Sequence, residues 1–212
     1  MFKEYRTVKD KGTAEYEEKK SKFISNVAPV KSEEEAVNFI NTLRSEYWDA
    51  NHNVYAYRII GDSIIQRYSD DGEPAGTAGL PVLEAIKRAD LQNVVIVVTR
   101  YFGGTLLGAP GLVRAYGKSA SMGIDSAGII KKVLCTIFTV AMDYTFYGKA
   151  QNVLTDNGYN IENAQFTEQV SFTVAVVPEK EEAFIKLVND ITAGSATIKK
   201  GGQMYIDTKV DL

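Results

Sequence analysis

Five consecutive aliphatic residues, Val94 to Val98, bounded by Asn93 and Thr99, constrain this chain more than any other stretch. The run falls far short of a membrane span and reads as a buried strand. It delivers Arg100, Tyr101 and Phe102 to a glycine-rich loop, Gly103 to Gly108, which feeds a helix from about Gly111 to Ser126 carrying Arg114 and Lys118. Backbone N–H groups at a helix start can hold an anion, and nearby guanidinium groups add charge. Gly103, Gly104, Gly108 and Gly111 would let the main chain approach a ligand without Cβ clashes.

The loop is not a phosphate loop of the Gly-Lys-Ser/Thr type, because that ending is missing. It is not a dinucleotide fingerprint either, because the glycine spacing fails and no acidic ribose partner follows at the required distance. Two readings stay open: a tight strand-to-helix connection, or an anion or nucleic-acid surface using Arg100, Tyr101, Phe102, Arg114 and Lys118. Upstream, Asp70, Asp71 and Glu73 crowd a turn containing Gly72 and Pro74. Such carboxylates bind hard metals, do acid–base work, or simply bond to their own backbone; the spacing matches no EF-hand. A structural variant has them brace the glycine loop through Arg100 or Arg114. His52, the single histidine, reads as a hydrogen-bonded structural residue or a general base. With one histidine and the lone Cys135, no zinc site is expected, and no metal or cofactor is implied.

The rest of the chain falls into two segments, 1–132 and 133–212. In the first, residues 13–30 suggest one or two edge strands. Ser32 and Glu35 form a capping box opening a helix with Ala36, Phe39, Ile40, Leu43 and Tyr47 at helical spacing. Val54–Ile60 and Ser63–Tyr68 read as strands joined around Gly61-Asp62, and a short helix spans about Pro81 to Ala89. The second segment reads β-α-β-β-α-β, a ferredoxin-like pattern. Its strands are Val133–Asp143, Tyr159–Phe166, Val170–Val176 and one alternating at Met204, Ile206, Thr208 and Val210. Its helices carry Phe146, Ala150, Val153 and Leu154, then Phe184, Leu187, Val188 and Ile191. Gly201-Gly202 is a hairpin turn or a bulge in the last strand, with Lys199 and Lys200 a basic tip.

The formal charge of −3 argues against a protein that coats nucleic acid indiscriminately. Residues 1–132 nonetheless hold 18 basic against 17 acidic residues, and 133–212 hold 6 against 10. The glycine loop therefore lies in the basic part of an acidic protein. A single cysteine excludes an internal disulfide framework, and the charged first residues do not form a secretory signal; both point to the cytoplasm, with no membrane association.

These blocks resemble the IMPACT family, in its bacterial two-domain form. The resemblance rests on Asn51-His52-Asn53-Val54-Tyr55-Ala56-Tyr57-Arg58 and on Ser69 to Gly79, and it continues through Val94–Val98, Arg100 to Gly108 and Gly111-Leu112-Val113-Arg114-Ala115-Tyr116. It covers roughly residues 20–126. Ala109-Pro110 departs from the expected Thr-Gly type pair and stiffens the loop. The resemblance implies an α+β protein: a first domain like the second domain of ribosomal protein S5, then a ferredoxin-like domain similar to the last domain of elongation factor G. Taken with the basic window around the glycine loop, the implied fold points to a non-catalytic regulator of translation that binds RNA or the ribosome. Arg100, Arg114 and Lys118 would contact phosphate, Tyr101 or Phe102 would face a base, and Gly103 and Gly104 would lend main-chain donors. Asp70, Asp71 and Glu73 would hold the loop. The alternative is an enzyme acting on a phosphorylated or nucleotide-like small molecule, with His52, Asp70, Asp71 and Glu73 converging on Arg100 in one pocket. A protein partner contacting the second domain is a third reading.

Overall fold

The computed structural model describes residues 2–61 and 63–209, so the turn position Asp62 and the alternating position Val210 lie outside the described residues. In chain order the elements are β1 (Glu4–Val8), β2 (Gly12–Glu18), β3 (Ser21–Pro29), α1 (Glu33–Glu46), β4 (His52–Ile60), β5 (Ile64–Ser69), α2 (Gly79–Arg88) and β6 (Val94–Tyr101). There follow α3 (Ala109–Ala127), β7 (Ile129–Met142), α4 (Tyr144–Asp156), β8 (Ile161–Phe166), β9 (Val170–Val176), α5 (Glu181–Thr192) and β10 (Thr197–Lys209). The chain divides into two compact units, residues 5–131 and residues 132–208 with 2–4. The class is α+β.

The first unit is built on an antiparallel sheet in the order β2-β3-β6-β4-β5. The aliphatic run is its central strand, and its side chains alternate between two cores. Val94, Ile96 and Val98 pack with Val82, Ile86, Leu112, Tyr116 and Ala120 from α2 and α3. Val95 and Val97 pack with Ala36, Ile40 and Leu43 from α1. A strand covered on both faces can be apolar at every position, and each buried Val or Ile contributes about 1.5–3 kcal/mol.

Three local expectations change in detail. β3 is no edge strand: it lies between β2 and β6 and is buried at seven of nine positions. Its polar residues misled the reading, because Asn26 is buried and its Oδ1 accepts from Thr13 Oγ1 at 2.8 Å. At α1, Ser32 Oγ accepts from the Glu35 N–H, but the Glu35 carboxylate reaches the Lys31 N–H at 2.7 Å rather than that of Ser32. α3 begins two residues before Gly111, with Pro110 in its first turn, where a missing N–H costs no helical bond.

The second unit has the strand order β10-β7-β9-β8, with β9 antiparallel to both β7 and β8. With α4 following β7 and α5 following β9, this is the β-α-β-β-α-β arrangement with its third strand inserted between the first two. Phe138, Val140, Phe172, Val174, Leu154, Phe184 and Val188 form its core. β10 runs straight through Gly201-Gly202, so the glycines make no hairpin turn. Lys200 is paired with Glu181 instead of standing at a tip.

Candidate functional site

The parity of β6 decides the fate of Arg100. It continues the Val94, Ile96, Val98 series, so its side chain turns under α3 rather than outward. Expected at a phosphate-contacting surface, Arg100 is instead 5% exposed. Nη1 donates to Glu73 Oε1 at 2.6 Å and Nη2 to Ser21 Oγ at 3.3 Å. The Tyr116 hydroxyl donates to the same Glu73 oxygen at 2.7 Å. Burial first, and then the Glu73 carboxylate, hold the Tyr116 phenol protonated far above its ordinary range. The guanidinium also lies 5.5 Å from the centre of the Phe23 ring and 5.6 Å from that of Phe102. A buried cation needs such a partner, because an unpaired one would cost several kcal/mol.

The acidic turn is used from within. Asp70 accepts from the N–H groups of Gly76, Ala78 and Gly79 at 2.9, 3.1 and 2.8 Å, which serves donors at the start of α2 that have no helical acceptor. Asp71 accepts from the Asn53 N–H at 2.6 Å and from Arg44 at 3.0 Å. Glu73 holds Arg100 and Tyr116. Among the described residues no group of three or more His, Cys, Asp or Glu side chains is placed to hold a metal ion.

His52 lies at the start of β4, opposite Arg100 on β6. Its Nδ1 is 2.8 Å from the Asp71 carbonyl, which can only accept, so Nδ1 carries the proton. Nε2, the other ring nitrogen, stands 3.8 Å from Glu73 Oε1. Gly72 packs against this ring with φ +88°, a conformation that a side chain would strain.

Within the glycine loop, two main-chain donors are already committed. The Phe102 N–H donates to Asn51 Oδ1 at 2.8 Å and the Gly103 N–H to Ser21 Oγ at 3.1 Å. A Cβ on Gly103 would stand 2.0 Å from the Lys20 carbonyl carbon, so only glycine fits against the β2–β3 turn. Gly104 has φ +81° with open space around it. Tyr101 donates to Asp49 at 2.8 Å; burial, and then that carboxylate, push its phenol up to about 12. Phe102 is 45% exposed and Leu106 83%.

Two clefts result, and Leu107 lines both. The larger, about 450 Å³, is lined by the polar Asn51, His52, Glu73 and Arg100 and by the apolar Pro74, Phe102, Leu106 and Leu112. The smaller, about 210 Å³, is bounded by Tyr16, Glu18, Lys19, Arg114 and Lys118. Lys118 Nζ lies 4.3 Å from the centre of the Tyr16 ring, and the Glu18 carboxylate accepts the Tyr16 hydroxyl. Arg100 is therefore separated from Arg114 and Lys118. His52, Glu73 and Arg100 meet in one cleft, but Asp70 and Asp71 do not line it, so only part of the enzyme constellation assembles.

Sequence reasoning did not single out Lys19, Lys20, Tyr16, Asn51, Leu106 or Leu107. The Lys19-Lys20 pair was visible as charge, but its position beside α3 depends on the pairing of β2 with β3. Both lysines hold left-handed backbone, φ 47° and 66°, across that turn.

A family model described as the Impact N-terminal domain matches residues 19–124, and one described as a domain of unknown function (DUF1949) matches residues 140–195. The IMPACT family member YvyE of Bacillus subtilis (strain 168) is 40% identical over 211 residues, covering 100% of this chain and 97% of that protein. The IMPACT family member YigZ of Escherichia coli (strain K12) is 34% identical over 180 residues, covering 84% and 88%. A solved structure described as that of a hypothetical protein is 31% identical, with a TM-score of 0.61 over 93% of this chain and 97% of that one.

Proposed function

The chain belongs to the IMPACT family, and we propose that it is a non-catalytic cytoplasmic regulator of translation that binds RNA, free or on the ribosome, through its first unit. One observation carries this reading. Lys19 and Lys20 are exposed on a two-residue hairpin turn whose backbone is left-handed at both positions. Asn-Gly is the unstrained choice there, and a left-handed lysine costs roughly 1–2 kcal/mol. Strain kept at a site is a pointer to function, and here it sets Lys19 beside the exposed Arg114 and Lys118 and the Tyr16 ring, three cations against the Glu18 carboxylate.

Cations spaced around an aromatic ring suit a single-stranded backbone with its bases splayed. The second unit offers less. The outer faces of its central strands carry Ile137, Thr139 and Ala141 on β7 and Ser171, Thr173 and Ala175 on β9, with no aromatic platform for stacking. Arg100 enters this reading as a buried brace for the strand end, not as a phosphate contact.

The test is a salt titration of binding to single-stranded RNA. Three contacts, from Lys19, Arg114 and Lys118, give a log–log slope of about −2, and Lys118→Ala reduces it by about 0.7. Absence of affinity for RNA or ribosomes at low salt refutes the reading.

A further inference from the structure

We propose that the 450 Å³ cleft beside the end of β6 takes one unstacked base of the bound RNA, while the phosphates run along Lys19, Arg114 and Lys118. This rests on the RNA reading above. The cleft has the composition of a site for a small flat group: apolar walls from Pro74, Phe102, Leu106 and Leu107, and a few fixed polar groups.

Those polar groups form a donor and an acceptor whose orientations are set from behind. Asn51 Oδ1 is held by the Phe102 N–H, which leaves its amide N–H groups to donate. His52 Nδ1 is held by the Asp71 carbonyl, which in a neutral imidazole leaves Nε2 to accept. Every nucleobase carries an acceptor next to a donor on its pairing edge, so any base satisfies both. An apolar side chain from a protein would leave both unpaired, at the cost of desolvating them. A free phosphate is disfavoured because Arg100, the one Lys or Arg among the described residues lining this cleft, is already paired with the Glu73 carboxylate, whereas the basic cleft sets three cations against Glu18.

Leu107 is the wall shared with the basic cleft. A nucleotide whose sugar passes over Leu107 puts its base on one side and its phosphate on the other. The exposed Phe102 ring then stacks the base, with the Arg100 guanidinium 5.6 Å from the ring centre.

The experiment compares fluorescence anisotropy of a labelled single-stranded RNA decamer with that of the same backbone carrying abasic residues throughout, at low salt. The intact decamer is expected to bind about tenfold tighter. Phe102→Ala removes that advantage without altering the salt slope, whereas Lys118→Ala lowers the slope for both ligands alike. Circular dichroism establishes that the exposed Phe102 can be changed without loss of fold. Equal affinity for intact and abasic RNA overturns the base site and leaves the RNA reading standing. No binding of either ligand overturns both.

Discussion

Replacing Glu73 by Gln tests whether Arg100 is a structural cation. The side chain keeps its shape and one acceptor, so the Tyr116 hydroxyl retains a partner, but the counter-charge is gone. Arg100 is 5% exposed, and its Nε has no hydrogen-bond partner among the described residues, so little else compensates the guanidinium. Removing one member of a buried pair costs about 3–5 kcal/mol, a large share of the roughly 5–15 kcal/mol that holds a domain folded. With a urea dependence of about 2 kcal/mol per molar, the midpoint falls by about 2 M. The double variant Glu73→Gln with Arg100→Met removes both charges and recovers most of that loss, so a double-mutant cycle shows a coupling of at least about 2–3 kcal/mol. Urea unfolding of the full chain, followed by circular dichroism and by hydrogen exchange of β6 and α3 amides, measures it. If Glu73→Gln lies within about 1 kcal/mol of the parent, or the two changes simply add, the buried-pair reasoning is refuted and Arg100 becomes available for phosphate.

Two further outcomes follow from named contacts. Lys19→Asn combined with Lys20→Gly relieves a left-handed turn, so stability rises by about 1–2 kcal/mol while RNA affinity falls and its salt slope flattens; a variant that gains stability and binds RNA unchanged removes the functional reason for the strain. Asp143 caps α4 by accepting from the Thr145 N–H at 2.9 Å and its hydroxyl at 2.8 Å, which lowers its pKa from 3.8. Because the folded value is depressed, the stabilisation is present above the ordinary carboxylate range and is lost as pH falls through the lowered folded value. The gap between the parent and Asp143→Asn therefore narrows below about pH 4 in an acid titration, and a gap constant from pH 6 to pH 2 contradicts the cap.

Much of the fold follows from patterns local to the chain. The Val94–Val98 run, the Ser32 cap, the alternation of Val170 to Val176 and the helical spacing of Phe184 to Ile191 each fix an element, because a periodicity of two or 3.6 is legible without neighbours. β1 was missed because Glu4-Tyr5-Arg6-Thr7-Val8 carries little apolar signal, and β3 was misplaced because Ser21, Ser25 and Asn26 are polar yet buried. The candidate site was legible as residue types rather than as geometry. The family blocks hold His52, Glu73, Arg100, Phe102, Leu106 and Leu107, but nothing in their order along the chain shows that these six line one cleft.

The sequence by itself determined most of the elements and that a charged, aromatic strand end meets a glycine loop, because these depend on spacing along the chain. Only the tertiary structure decided that Arg100 is neutralised by Glu73, 27 residues away, and that Lys19 lies beside Arg114 and Lys118. Whether a charge serves a ligand or a fold depends on burial and on which opposite charge stands within a few ångströms. Both are set by how the strands of the sheet pair and how α3 packs on them, and neither is written in the order of the residues.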